Sequence, residues 1–152
     1  MADDLMVAAD REPQFIGEIG FAPAFTVELE YAERRVETTP HGKRILKPIT
    51  GGTVSGRIEG TVYPHGGGEF SLMRADGVTD ISGHVLLRDG NGEWIYLHNV
   101  GYRRPDGYYR VTSWVDADVR GNHDWVLGLF FVGTGTERAD GRGITIVYTE
   151  VL

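Results

Sequence analysis

From Phe15 onward the chain repeats one pattern, short stretches in which apolar and polar residues alternate, separated by glycine-rich turns. Residues 25–31 place Phe25, Val27, Leu29 and Tyr31 on one side and Thr26, Glu28 and Glu30 on the other. An alternation of period two suits a β-strand and cannot give a helix an apolar stripe. It recurs over 53–63, where Val54, Ile58 and Val62 oppose Thr53, Arg57, Glu59 and Thr61, and where Gly56 and Gly60 leave room for curvature on the apolar side. Further segments are 69–74, 81–88, 93–102, 108–116, 125–133 and 144–151. The segment from Trp125 reads as a strand buried on both faces. Glycine supplies 22 of the 152 residues, about twice the usual share, with no G-X-Y period and only 6 prolines, which fits turns and bulges and excludes collagen.

The expected fold is all-β, a single antiparallel β-barrel of about eight to ten strands over residues 14–152, since closure removes exposed strand edges. A β-sandwich is the alternative. Residues 1–13 read as an acidic, flexible lead-in, with a short helix over 2–10 as one reading of its start.

Fifteen Lys and Arg against 22 Asp and Glu leave a net charge of −7, the wrong sign for neutralising phosphates, so neither nucleic acid nor an anionic membrane is an expected partner. There is no cysteine, hence no disulfide or thiolate metal site. The start carries Asp3 and Asp4 where a secretion signal is basic, and no apolar run approaches the ~20 residues of a membrane helix. The expected location is the cytoplasm.

Two turns set a register. If Arg104-Pro105-Asp106-Gly107 is a type I turn with a glycine bulge, Arg104 pairs with Tyr108, placing His98 opposite Trp114 and Tyr96 opposite Asp116. If Gly90-Asn91-Gly92 is also a three-residue loop, His84 lies opposite His98. One face then carries Tyr96, His98, Tyr102, Arg110, Trp114 and Asp116, and the other Ile95, Leu97, Val111 and Val115. The polar-aromatic face reads either as a ligand pocket or as the outside of the barrel, where it would be solvated or form a homo-oligomer contact. Periodicity does not say which face is the lumen.

No two of the five histidines lie within five residues of each other, so no metal is expected, although His84, His98 and Glu69 would form a conceivable set. There is no G-x-S-x-G elbow. The run Pro64-His65-Gly66-Gly67-Gly68 reads either as a flexible turn or as a loop presenting His65 and Glu69 at a barrel mouth. Arg74 reads as a solvated charge or as an oxyanion holder, and Trp125 as core or as a ligand contact.

In order and spacing, the stretch from Gly51-Gly52 through Val54, Gly56, Ile58, Gly60 and Val62 to Pro64, the turn into Glu69-Phe70, Arg74-x-Asp76-Gly77, the run Gly92–Gly101 with Ile95 and Asn99, and Trp125 ahead of Leu129-Phe130-Phe131-Val132-Gly133 and 144–151 resemble the domain-of-unknown-function 3237 family, over roughly residues 15–152. The resemblance implies a calycin-like or lipocalin-like barrel with a small-molecule cavity. Some fungal relatives are cofactor-free cyclases that add a hydroxyl across an alkene. In the family the glycine turn leads into Asp-Trp, here Glu69-Phe70, and the late tryptophan precedes Leu-Asn, here Val126-Leu127.

These readings combine into an expectation. The chain is a cofactor-independent lyase, isomerase or cyclase acting on a small aromatic or polyketide-like molecule, with Glu69 or His98 taking a proton and Arg74 stabilising the oxyanion. Tyr63, His84, Tyr96, Asn99, Trp114 and Trp125 line the substrate site. The alternative is a non-catalytic, lipocalin-like small-molecule binding protein.

Overall fold

The computed structural model describes residues 17–152; the lead-in over 1–13 and its short helix lie outside the described residues. Ten strands follow one another: β1 (Phe21–Tyr31), β2 (Arg35–Thr39), β3 (Gly42–Gly56), β4 (Gly60–Val62), β5 (Gly68–Met73), β6 (Thr79–Asp89), β7 (Trp94–Arg103), β8 (Tyr109–Ala117), β9 (Phe130–Glu137) and β10 (Gly143–Val151). Pairing runs antiparallel through β1, β10, β9, β8, β7 and β6, then through β4 and β5, which share one position, to β3. Strand β3 pairs back onto β1, with Val27 opposite Val54, and closes an eight-position barrel. Strand β2 extends the β3 edge beyond the ring.

Closure follows from the alternation. Val27, Leu87, Ile95, Leu97, Phe131 and Ile146 all point inward and have no exposed surface. At about 25 cal/mol per Å² of apolar surface removed from water, such a filled lumen is the main stabilising term. Among the described residues no helix is long and apolar enough to cross a membrane.

Three connections at one end share a sequence. Arg74-Ala75-Asp76-Gly77, Arg104-Pro105-Asp106-Gly107 and Arg138-Ala139-Asp140-Gly141 join β5 to β6, β7 to β8 and β9 to β10. In each the glycine amide donates to the arginine carbonyl at 3.0–3.1 Å, and the aspartate accepts the amide two residues on at 2.8–3.0 Å. Each arginine also pairs with its aspartate. The Arg104 amide donates to the Tyr108 carbonyl as the turn chemistry requires.

Three segments differ from the alternation reading. Residues 53–63 are the end of β3 and the whole of β4, folded back so that Thr53 faces Thr61. Strands β2 and the first half of β3, absent from that reading, occupy 35–50. The apolar run from Trp125 starts as a single 3-10 turn over Asp124–Val126, because Gly128 adopts a left-handed φ of 76° and breaks the strand before Phe130. That strand is not buried on both faces, since Phe130 is 59% exposed.

The segment 118–129 folds over the other barrel end, seating Val126 in the core. It is tied down by His123 Nε2, 2.6 Å from the Asp89 carboxylate, and by Asn122, whose amide and side chain donate to Glu93. Burial works to raise the Asp89 pKa, but hydrogen bonds from His123 and from the Glu93 and Asn91 amides outweigh it and hold the carboxyl below its ordinary 3.8. A pKa depressed in the fold stabilises above the unfolded value and loses that contribution as pH falls through the folded one. Asp89→Asn is therefore expected to destabilise the protein by about 1–3 kcal/mol at pH 7. Urea unfolding of both proteins should show the difference shrinking below pH 3.8.

Candidate functional site

Toward the end bearing the three Arg-x-Asp-Gly turns, the lumen changes from apolar to charged. Along β5 the alternation turns Glu69 and Ser71 inward and Phe70 outward, and along β3 it turns Lys47 inward between Ile45 and Ile49. Lys47 and Glu69 are cross-strand partners in the β3–β5 register. The Lys47 ammonium lies 3.6 Å from Glu69 Oε2 and 3.7 Å from Glu137 Oε1. From the far wall, the Tyr109 hydroxyl on β8 donates to Glu69 Oε1 at 2.9 Å. Arg103, at the end of β7, grips Glu137 through Nε at 2.7 Å and Nη2 at 3.0 Å. Opposite charges thus alternate from the mouth inward: Arg103, Glu137, Lys47, Glu69.

Exposure falls along the same line, from 31% for the Arg103 side chain and 25% for Glu137 to 9% for Lys47 and 6% for Glu69. A cleft of about 200 Å³ opens between Arg103, Gly107, Tyr109, Gly135 and Glu137. Gly135 makes the Tyr109 position available, for a Cβ there would meet the Tyr109 ring at 2.3 Å. Burial, followed by the nearby Glu69 carboxylate, pushes the Tyr109 pKa well above 10 and keeps the phenol protonated. Tyr31 is raised by the same two causes, and Lys47 lies 5.5 Å from the centre of its ring. Among the described residues, the buried hydroxyls of Ser71, Thr79 and Ser113 find no hydrogen-bond partner.

Of the expected site residues, Glu69 and Asn99 face the lumen. Asn99 accepts the Tyr148 hydroxyl at 2.9 Å. The inferred register holds, with His84 opposite His98, His98 opposite Trp114 and Tyr96 opposite Asp116, but this face is the outside of the barrel. His98 and Arg74 therefore do not share a cavity with Glu69. Arg74 lies in its exposed turn, paired with Asp76 and Asp80. His84 stacks on His98 at 4.4 Å and hydrogen-bonds Tyr96, and burial, then its neighbour His98, lower its pKa below 6.5. Tyr96 and Trp114 border shallow surface clefts, and Tyr63 packs edge-on against Trp94. Trp125 covers the apolar end, with the Arg57 guanidinium 3.7 Å above its ring.

The physical reason is one of polarity. Ile95, Leu97, Val111 and Val115 on the other face bury far more apolar surface per strand, so they take the lumen. Lys47, Tyr109, Glu137 and Arg103 were missed by the motif reading. Tyr109 and Lys47 each sit on the apolar side of an alternating strand, and that was the available signal.

Among the described residues Asp89, Glu93 and His123 have ligating atoms within 4.8 Å of one another. Their hydrogen bonds to one another and to Asn122 account for the arrangement as a clasp.

Fold and interior define a closed antiparallel β-barrel whose lumen carries a buried, charge-alternating cluster. The chain belongs to the family described as protein of unknown function (DUF3237), whose model matches residues 19–113. It is 41% identical over 74 residues to a UPF0311 protein of Clostridium acetobutylicum, an alignment covering 47% of this chain and 46% of that protein. The chain thus matches about half the length of that relative. A β-barrel-like protein from Acinetobacter baumannii superposes with TM-score 0.78 at 21% identity, over 94% of this chain and 99% of that one. A structure described as an enzyme from Penicillium herquei does so with TM-score 0.73 at 18% identity, over 93% and 100%. At these identities the two structures speak for the fold alone.

Removing one partner of a buried pair strands the other charge, at about 3–5 kcal/mol. Lys47→Met is accordingly expected to destabilise the protein more than the double variant Lys47→Met/Glu69→Leu does. Denaturant titrations of both variants check this, and equal losses would mean that Glu69 is not stranded.

Proposed function

We propose that the protein is a cofactor-independent enzyme of the lyase, isomerase or cyclase type, working on a small aromatic or polyketide-like molecule by proton transfer at Glu69 and Tyr109. The observation carrying this reading is the hydrogen bond across the lumen from Tyr109 to a carboxylate that is 4% exposed, beside a cleft reaching the mouth. A carboxylate and a phenol joined in this way can take a proton at one oxygen and return one at the other. In a ring closure, Glu69 takes the substrate hydroxyl proton as its oxygen bonds to one alkene carbon. Tyr109 gives its proton to the other carbon, and Glu69 reprotonates Tyr109 along their hydrogen bond. No atom is gained or lost. Lys47 and Arg103 supply positive charge where a substrate oxyanion would develop.

The size of the cleft favours this over a carrier. Ligand chambers usually measure about 300–1,000 Å³, whereas here the apolar part of the lumen is filled by core side chains and the cleft at the charged end is about 200 Å³. Such a space takes a single ring.

The test is a panel of hydroxyaryl alkenes and enols, followed by chromatography and mass spectrometry for products of unchanged mass. Glu69→Gln and Tyr109→Phe, shown to be folded by circular dichroism, should each lose about 10²–10⁴-fold in turnover. His98→Ala and Arg74→Ala, lying outside the lumen, should keep wild-type rates. Full turnover by folded Glu69→Gln would sink the proposal, as would saturable binding of the panel without any isomerised product.

A further inference from the structure

The outer face of β6, β7 and β8 carries more exposed aromatic surface than a solvated sheet requires. Trp114 is 74% exposed, Tyr102 53%, Trp94 43% and Val100 42%, and Phe130 on the neighbouring β9 is 59% exposed. Contiguous apolar patches larger than a few hundred Å² on a protein surface usually mark a contact. We propose that this face is a homodimer interface, in which two copies of the chain pack sheet to sheet about a two-fold axis running along the row His84–His98–Trp114.

The occupant follows from the charges. Four residues from His84 along β6 stands Asp80 on one side and Arg88 on the other; four residues from His98 along β7 stand Tyr102 and Trp94. The register aligns Asp80 with Tyr102 in one row and Arg88 with Trp94 in another. Both rows lie about 13 Å from the histidine row, at about 3.3 Å per residue. A two-fold rotation about the histidine row exchanges them. Asp80 then meets the partner's Arg88, and Tyr102 meets the partner's Trp94, each contact occurring twice. On β8, Arg110 and Asp116 also lie on opposite sides of Trp114.

The whole chain carries −7, so two copies repel each other over most of their surfaces. This face, with Asp80 and Asp116 against Arg88 and Arg110, is balanced. An occupant of one charge sign would leave half of these groups unpaired, whereas the same face turned over sets each Asp80 opposite an Arg88, with Arg110 and Asp116, four and two residues from Trp114, on opposite sides but not in register. Within the protomer these groups make weak, exposed contacts: Arg74 pairs with Asp80 at 3.3 Å, both side chains being at least 40% exposed, and the Arg88 and Arg74 guanidinium groups lie 5.4 and 5.8 Å from the ring centres of Trp94 and Tyr102. Strands β6, β7 and β8, about 4.8 Å apart and 9–11 residues long, present a face of roughly 15 by 30 Å with Phe130 at its edge, at the small end of specific protein interfaces.

The test is sedimentation at pH 8 over a concentration series up to about 100 µM. The wild type should dimerise, and Trp114→Glu should be monomeric with an unchanged circular dichroism spectrum. Asp80→Arg and Arg88→Asp should each weaken the dimer at least about tenfold, because each sets like charges together twice. Mixed in equal amounts, these two variants should recover the wild-type affinity, since every pair across the heterodimer is again opposite in sign. A wild type that stays monomeric at the highest concentration overturns the proposal and leaves the face to a different protein or a ligand. A dimer indifferent to Trp114→Glu, or a mixture that fails to recover, overturns it as well.

Discussion

Everything in this molecule depends on the pairing of β1 with β3. Strand β1 holds β10 on one edge through Phe21–Glu30 and β3 on the other through Phe25–Tyr31, turning an open meander into a ring. An open sheet of this length would leave two rows of unpaired backbone groups and one solvated face over its apolar side chains. Closure gives each strand an inside and an outside, and the alternating sequence then decides what every residue meets. Large aliphatic side chains fill the lumen at the end covered by Val126. At the opposite end the inward positions hold Lys47, Glu69, Tyr109 and Glu137.

Placing charge there is costly, and the structure shows how the cost is offset. Moving an isolated carboxylate from water into a protein interior costs several kcal/mol even after relaxation. Glu69 has two compensating neighbours on different strands, an ammonium from β3 and a phenol from β8. Lys47 is shared between Glu69 and Glu137, and Arg103 secures Glu137 at the mouth. At 3.6 Å the Lys47–Glu69 contact is long for a hydrogen-bonded pair, so the Tyr109 hydroxyl carries the directional part. That cluster is poorly explained by stability, since apolar residues of similar volume in such positions are often neutral or stabilising. The proposed chemistry rests on this observation.

The strand pattern, the barrel and the register of the β6–β7–β8 meander were legible in the residues because turn chemistry fixes register locally. Arg104-Pro105-Asp106-Gly107 and Asp89-Gly90-Asn91-Gly92 count outward to the observed partners. The repetition of Arg-x-Asp-Gly at three connections was legible too, in retrospect, as a marker that those turns share one end of the barrel. Less was legible where a contact spans the lumen. Nothing local to Tyr109 points to Glu69, forty residues earlier and on another wall. Lys47 hid in a strand whose charged neighbours Lys43 and Arg44 weaken the alternation. Gly67 looked like spare flexibility before Glu69, yet a Cβ there would lie 2.0 Å from the His84 carbonyl oxygen, so the glycine serves close strand approach.

The sidedness of the barrel also separates the two roles argued for its faces. His98 points outward between Leu97 and Asn99, which both point inward, and Asn99 holds the Tyr148 hydroxyl. Adjacent residues thus serve different surroundings, one a surface suited to a second copy and the other the packed interior. A change confined to the outer side chain leaves the inner wall in place, while a slip of one residue along β7 would exchange the two faces completely. Register, fixed by the turns at both ends of β7, is therefore the property on which interior chemistry and outer contact both rest. Substitutions in those turns should disturb the two together, whereas side-chain changes on either face should act separately.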